Sequence, residues 1–175
     1  MNGDVTGVHL LTGGARSGKS REALRRAESV PGIIDFVATA EAGDEEMAER
    51  IVRHRAERGP RYRTHEAPLA LEAALGGLPS GGAVVVDCLT LWCANLLFSG
   101  LDDEAIYARF AALPDALAAT GRPTLVVTNE VGLGIVPGDP LSRRYRDLLG
   151  RLNQQVAARA DGVVFMVAGL PMVVR

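Results

Sequence analysis

The chain alternates short apolar runs with longer segments of mixed polarity. The apolar runs are rich in β-branched residues, which is typical of strands buried on both faces of a parallel sheet. They predict strands at residues 8–11, 33–38, 83–88, 123–128 and 162–168, and a short extended piece at 61–66. Helical spacing of apolar positions and helix-end signals predict helices at residues 21–28, 44–59, 68–75, 102–119 and 141–160. This alternation predicts an α/β fold, with a mostly parallel sheet flanked by helices and a single domain over residues 1–175.

Three segments leave alternatives open. Residues 88–101 carry no charge and are too few to cross a membrane, so we expect a helix that is buried or faces another subunit. Pro114 either kinks the helix at 102–119 or divides it in two. After the break at residues 169–171, the end of the chain at 172–175 is either a tail or an edge strand.

A glycine-rich segment directly follows the first predicted strand. Its sequence, TGGARSGKS at residues 12–20, has the spacing G-x-x-x-x-G-K-S. Glycines let backbone N–H groups surround a polyphosphate, the lysine reaches the outer phosphates, and the serine hydroxyl can bind Mg²⁺. The positive N-terminal end of the next helix favours the same anion. The predicted nucleotide-binding residues here are Gly13, Gly14, Ala15, Arg16, Ser17, Gly18, Lys19 and Ser20.

Lys19 is the only lysine of the chain, although lysine and arginine together number 19. A solitary lysine at the one position where a phosphate-binding loop requires it is improbable by chance. The alternative is a glycine-rich turn without a ligand. The motif favours a P-loop NTPase fold of the RecA-like type, with Lys19 as a catalytic residue and ATP or GTP as the bound nucleotide.

Asp87 ends the apolar run at 83–88 and is the predicted partner of the phosphate-binding loop. An acid at the end of a buried strand commonly holds Mg²⁺ in P-loop proteins. The sequence therefore predicts a magnesium site formed by Ser20 and Asp87. The alternative is that Asp87 only caps the next helix, a position that suits aspartate well.

His54 lies on the predicted helix at 44–59, where an apolar stripe becomes polar at His54 and Arg58. Arg55 and Arg61 are near enough to help hold an anionic ligand. A neutral imidazole between guanidinium groups is a plausible nucleophile toward phosphorus. The alternative is a solvated surface histidine, because i,i+4 pairs on the helix account for the neighbouring charges.

Glu66 and Glu130 are acids at the ends of predicted strands. The carboxyl ends of parallel strands are where ligands bind in open α/β sheets. Each glutamate could contact a nucleotide or a substrate hydroxyl, or could only cap a helix or face solvent. Spacing alone does not decide between these roles.

Composition limits the partners of the chain. A net charge of -2 and a pI near 5.9 argue against general nucleic-acid binding, which requires a basic excess. The first residues lack the features of an export signal and no apolar stretch is long enough to span a membrane, so a cytoplasmic location is expected. Cys88 and Cys93 are expected to be reduced core thiols, with no structural metal site.

Four segments, spread over nearly the whole chain, carry a resemblance to a known family. They are GGARSGKS at 13–20, MAERIVRHRAERGP at 47–60, VVVDCLT at 84–90 and TNEVGLGIVP at 128–137. Together they resemble the bifunctional adenosylcobinamide kinase / adenosylcobinamide-phosphate guanylyltransferase family of cobalamin synthesis. One departure is Gly59, which stands between Arg58 and Pro60, where the family more often has arginine followed directly by proline.

The resemblance implies a function and further site residues. Adenosylcobinamide would be phosphorylated by a nucleoside triphosphate with Mg²⁺, and GMP would then pass from GTP through His54 to give adenosylcobinamide-GDP. Relatives assemble as trimers, so a homotrimer is expected. The alternatives are a small-molecule kinase without guanylyl transfer and a non-enzymatic nucleotide-dependent switch. The further nucleotide contacts implied are Ala38, Thr39, Ala40, Arg55, Ala56, Glu57, Arg58 and Glu66.

Overall fold

The computed structural model describes residues 5–40 and 59–175. Seven strands form one sheet: β1 Val8–Gly13, β2 Ile34–Ala38, β3 Tyr62–Glu66, β4 Val84–Asp87, β5 Thr124–Val127, β6 Gly162–Val167 and β7 Leu170–Val173. The helices are α1 Lys19–Glu28, α2 Leu71–Gly76, α3 Leu89–Phe98, α4 Asp103–Ala119 and α5 Pro140–Arg159, with a 3-10 turn at Val131–Leu133. The predicted helix at 44–59 falls almost entirely on residues 41–58, outside the described residues.

The strand order is β3-β2-β4-β5-β1-β6-β7, and every pairing is parallel except that of β6 with β7. This confirms the predicted mostly parallel sheet. The order also decides which loops meet, since β5 lies between β1 and β4. Val127 of β5 is in register with Leu11 of β1 on one side and with Asp87 of β4 on the other. The residues after Val127 therefore leave the sheet between Asp87 and the glycine-rich loop.

Apolar side chains cover both faces of the sheet. The uncharged α3 helix is part of the core: Trp92, Cys93 and Leu96 are fully buried. The indole N–H of Trp92 donates to the Leu69 carbonyl at 2.9 Å, so its one polar atom is satisfied. Of the two alternatives for this segment, the buried helix is therefore found. The α4 helix runs through Pro114 without dividing.

The chain ends in an edge strand. Ala168 and Gly169 have φ angles of 49° and 84° and reverse the chain between β6 and β7. β7 begins at Leu170, two residues earlier than the sequence suggested. Pro171 is compatible with this strand because an edge strand leaves one row of N–H groups unpaired. No helix among the described residues is long and apolar enough to cross a membrane.

Asp35 of β2 anchors the amino-terminal side of the sheet. Its carboxylate is fully buried and accepts hydrogen bonds from Arg63 at 2.6 Å, His65 at 2.7 Å and Arg122 at 2.6 Å. Burial alone would raise the pKa of Asp35, but the hydrogen bonds from Arg63, Arg122 and His65 outweigh it and lower the pKa from 3.8 to about 2. The carboxylate is therefore charged in the folded protein and ties β2, β3 and the start of β5 together.

Asp35→Ala is expected to lower the free energy of unfolding by about 2–3 kcal/mol at pH 7, because it removes the buried carboxylate that accepts hydrogen bonds from Arg63, His65 and Arg122. Since the pKa is depressed from 3.8 to about 2 in the folded state, the stabilisation is present above pH 4 and is lost as the pH falls toward 2. Urea unfolding at pH 7 and pH 3 measures both effects. The difference in free energy of unfolding between the wild type and Asp35→Ala should be smaller at pH 3 than at pH 7. The matched control is Asp115→Ala, which breaks the exposed pair with Arg159 and should cost about 1 kcal/mol or less. A loss at Asp35 no larger than at Asp115 would contradict the anchoring role.

Candidate nucleotide-binding site

The glycine-rich loop connects the end of β1 to the first residue of α1, as the motif predicts. Gly13 and Gly18 have φ angles of 145° and 94°, which side-chain-bearing residues rarely adopt. A Cβ on Gly13 would stand 2.6 Å from the Met166 carbonyl oxygen, so the loop also needs glycine for space. Ser17 Oγ is buried and has no hydrogen-bond partner among the residues that the structure describes. The loop thus has the form of a phosphate cradle and holds one unused hydroxyl.

Lys19 is folded back over this loop. The residue is only 7% exposed, and its Nζ donates to the Gly14 carbonyl at 2.6 Å. Burial lowers the pKa of Lys19, while the acidic groups of Cys88 and Asp87 act against this shift. In the sheet only β5 separates Asp87, at the end of β4, from β1, which leads into the loop that carries Lys19. A buried ammonium bonded to one carbonyl retains two donors for an anionic ligand.

A cavity of about 470 Å³ opens beside the loop and is lined by residues 16–21 together with Ala168 and Gly169. This volume is in the range of small-molecule sites. Ala168 and Gly169 were not predicted as site residues, since the sequence indicated only a break after the last parallel strand. The Gly169 N–H donates to the Ser17 carbonyl at 3.1 Å, which fixes the β6–β7 turn against the loop. The turn is brought there by the position of β6 next to β1 in the sheet.

Ser20 and Asp87 are both half-buried at the carboxyl edge of the sheet. Hydroxyl and carboxylate oxygens are the hard donors that Mg²⁺ prefers, and Mg²⁺ in such sites keeps water and phosphate oxygens as its other ligands. Across residues 5–40 and 59–175, no group of three or more acidic, histidine or cysteine side chains could hold a metal alone. The donor set therefore suits a metal that arrives with a nucleotide.

The other predicted nucleotide contacts lie farther along the same edge. Thr39 is fully buried, and its hydroxyl donates to the Cys88 carbonyl at 2.7 Å and accepts the Cys88 N–H at 2.9 Å. Its side chain therefore joins β2 to the end of β4. Ala38 and Ala40 flank it, and Glu66 lies opposite Ala38 at the exposed end of β3. These contacts remain predictions, and His54, Arg55, Ala56, Glu57 and Arg58 lie outside the described residues.

The thiols near the site are not nucleophiles in this environment. Burial raises the pKa of Cys88 to about 11 and that of Cys93 to about 12, so both remain protonated near neutral pH. Both cysteines are free, as expected.

Solved structures share the fold at low sequence identity. A KaiC-like protein from Pyrococcus horikoshii aligns with a TM-score of 0.53 and 16% identity, over 93% of this chain and 71% of its own. A prototypical ATPase from a bacterial type III secretion system aligns with a TM-score of 0.55 and 13% identity, over 97% of this chain and 59% of its own. These similarities confirm the P-loop NTPase-like fold and nothing finer.

Sequence comparisons are more specific. Residues 9–174 match the family described as cobinamide kinase / cobinamide phosphate guanyltransferase. The bifunctional adenosylcobalamin biosynthesis protein CobP of Pseudomonas aeruginosa is 48% identical over 164 residues, which is 93% of this chain and 94% of the relative. The CobU protein of the same description from Salmonella typhimurium is 38% identical over 174 residues, 92% of this chain and 96% of the relative. With a phosphate cradle, a folded-in lysine and a nearby acid in the matched region, the chain belongs to the cobinamide kinase / cobinamide phosphate guanyltransferase family.

Proposed function

We propose that the P-loop of this chain carries the kinase reaction of its family and that His54 carries the guanylyl transfer. Family membership makes the chain a bifunctional transferase that phosphorylates adenosylcobinamide and then attaches GMP from GTP. The assignment of each reaction to named residues is the proposal. The observation that supports it most is the position of Lys19, buried in the loop and electrostatically coupled to Asp87, within the region that matches the family.

In the kinase step, the backbone N–H groups of residues 13–20 bind the β- and γ-phosphates, and Lys19 releases the Gly14 carbonyl to reach them. Ser20 and Asp87 would hold Mg²⁺, which neutralises charge on the phosphates when bound. The hydroxyl of the aminopropanol arm of adenosylcobinamide attacks the γ-phosphorus in line with the leaving nucleoside diphosphate. Positioning and charge neutralisation supply most of the catalysis in such transfers.

In the second step, His54 attacks the α-phosphorus of GTP and expels pyrophosphate. The product is a guanylyl-histidine with a phosphorus–nitrogen bond, which adenosylcobinamide phosphate then cleaves to form adenosylcobinamide-GDP. Covalent catalysis divides one difficult displacement into two easier ones. Arg55 and Arg58 are proposed to bind the phosphates, and their positive charge favours the neutral imidazole that can act as a nucleophile.

We also propose a homotrimer, with an interface that lies elsewhere than on the uncharged segment at residues 88–101. The α3 helix offers little apolar surface for it, because its large apolar side chains are buried in the core of the subunit apart from the half-buried Leu91 and the exposed Phe98. The β7 strand and the residue that follows it offer another apolar surface: Leu170, Val173 and Val174 are 71%, 70% and 63% exposed. Exposed apolar side chains on a sheet edge favour association with another chain.

The proposed function predicts two separable products. With adenosylcobinamide and ATP, the purified chain should form adenosylcobinamide phosphate; addition of GTP should then give the GDP-linked product and pyrophosphate. Liquid chromatography with mass spectrometry measures both. A phosphorylated product that never receives GMP would support the kinase-only alternative. Nucleotide binding with neither product would support the switch alternative.

A further inference from the structure

Glu130 lies beside the first glycine of the phosphate-binding loop, just after the end of β5. The chain leaves β5 at Val127, between Asp87 on β4 and Leu11 on β1. Glu130 follows three residues later, and its N–H donates to the Gly13 carbonyl at 3.2 Å. The β5 exit is therefore the one element of the sheet that separates the predicted metal ligand from the phosphate-binding loop, and Glu130 lies at the base of that loop.

The Glu130 carboxylate is held by one oxygen only. Thr12 Oγ1 donates to Oε1 at 2.8 Å, and Asn153 Nδ2 donates to the same atom at 3.1 Å. Asn153 is itself fixed, because its Oδ1 accepts from the buried Thr128 hydroxyl at 2.7 Å. Within the part of the chain that the structure describes, Oε2 takes part in no hydrogen bond. Glu130 is half-buried, so this oxygen is oriented by a rigid frame and still accessible.

Among the residues that the structure describes, three other carboxylates near this edge are placed differently from Glu130. Asp87 is the proposed metal ligand, and Glu66 lies on β3, beyond both β2 and β4 in the sheet. Asp139, which ends the loop after β5, caps α5 by accepting the Ser142 N–H at 2.8 Å. The segment between Glu130 and Asp139 exposes apolar side chains, with Leu133 at 73% and Ile135 at 96%, and exposed apolar side chains of this kind often mark a binding surface. Glu130 thus lies between the phosphate-binding loop and this exposed apolar segment.

We propose that Glu130 is the general base of the kinase step, an inference that rests on the proposed function. Its Oε2 accepts the proton of the substrate hydroxyl as the hydroxyl oxygen forms its bond to the γ-phosphorus. The bond from that phosphorus to the β,γ-bridging oxygen breaks, and the nucleoside diphosphate leaves with the electron pair. The protonated carboxyl then releases its proton to water. A positioned base of this kind contributes about 10²–10⁴-fold to the rate.

Glu130→Gln separates this role from a structural one. The amide oxygen of glutamine can still accept from Thr12 and Asn153, so the frame is preserved, but the amide cannot take a proton. We expect kcat for phosphorylation of adenosylcobinamide to fall about 10²–10⁴-fold with an unchanged Kd for ATP. Guanylyl transfer to added adenosylcobinamide phosphate should continue at the wild-type rate, because that step does not use this base. Glu104→Gln, an exposed change in the first turn of α4, is the matched control and should retain both activities.

Thr12→Val provides the second variant, since it keeps the carboxylate and removes one of its two anchors. It should lower the kinase kcat roughly tenfold, the effect of one hydrogen bond. Full kinase activity in Glu130→Gln would overturn the proposal, and so would a loss explained entirely by weaker ATP binding. An inactive wild-type chain would instead refute the proposed function, so the two failures are distinguishable.

Discussion

His54→Ala is expected to abolish transfer of GMP from GTP to the protein, while phosphorylation of adenosylcobinamide continues. The reason is chemical: the phosphorus–nitrogen bond needs an imidazole, and the variant leaves no nucleophile at this position. Incubation with α-labelled GTP should give one acid-labile label per wild-type chain and none on the variant. Acid lability distinguishes a phosphoramidate from the more stable ester that a serine would form.

The position of the label can be mapped because the sequence isolates His54. Cleavage after Glu49 and after Glu57 releases a peptide of residues 50–57, in which His54 is the only histidine. The other two histidines are internal controls. His65 is engaged with Asp35 at 2.7 Å, and the His9 ring bonds to the Thr6 carbonyl at 2.9 Å. A label on either of them, or a full label on His54→Ala, would contradict the assignment of His54.

The fold could be predicted from sequence because its signals are local. Buried parallel strands are short apolar runs, and each of β1, β2, β4, β5 and β6 lies within or overlaps a predicted segment. The phosphate-binding loop was also predictable, since a continuous stretch of residues forms it and its glycines are required by backbone angles within that stretch. The electrostatic partnership of Lys19 with Asp87 is harder to predict because the two residues are distant in sequence, but an acid at the end of a buried strand is still a recognisable pattern.

Glu130 could be named from sequence as a candidate strand-end acid, but its contacts and those of the β6–β7 turn could not be predicted, because they form only through strand order. Glu130 meets Thr12 across a sequence separation of 118 residues, and the β6–β7 turn reaches Ser17 across about 150. No local sequence pattern predicts the strand order, in which β5 lies between β4 and β1 and β6 is the other neighbour of β1. The same strand order explains why Asp35 forms an ion pair with Arg122, which lies just before β5, a strand that is not adjacent to β2. Long-range partners of this kind require the sheet order before they can be inferred.

Lys19→Met is expected to lower kcat/KM of the kinase step by about 10³-fold, because it removes a preorganised donor and a positive charge from the transferring phosphates. The stability of the fold should not decrease. Lys19 as a residue is only 7% exposed, and burial lowers the pKa of its ammonium, so replacing it with an apolar side chain of similar length relieves a desolvation cost. Thermal unfolding of the variant should therefore give a Tm no lower than that of the wild type. A large drop in Tm would mean that the loss of activity reflects misfolding.

Lys19→Arg tests whether charge alone is sufficient. The space around Nζ is set by its 2.6 Å hydrogen bond to the Gly14 carbonyl, and the longer planar guanidinium does not match that geometry. We expect this variant to lose most of the kinase activity as well, and full activity would show that any cation suffices. Chemistry offers an independent measurement because Lys19 is the only lysine. An amine-reactive reagent can modify only Lys19 and the N-terminus, and MgATP should protect Lys19 alone; equal protection of both amines, or of neither, would place the nucleotide elsewhere.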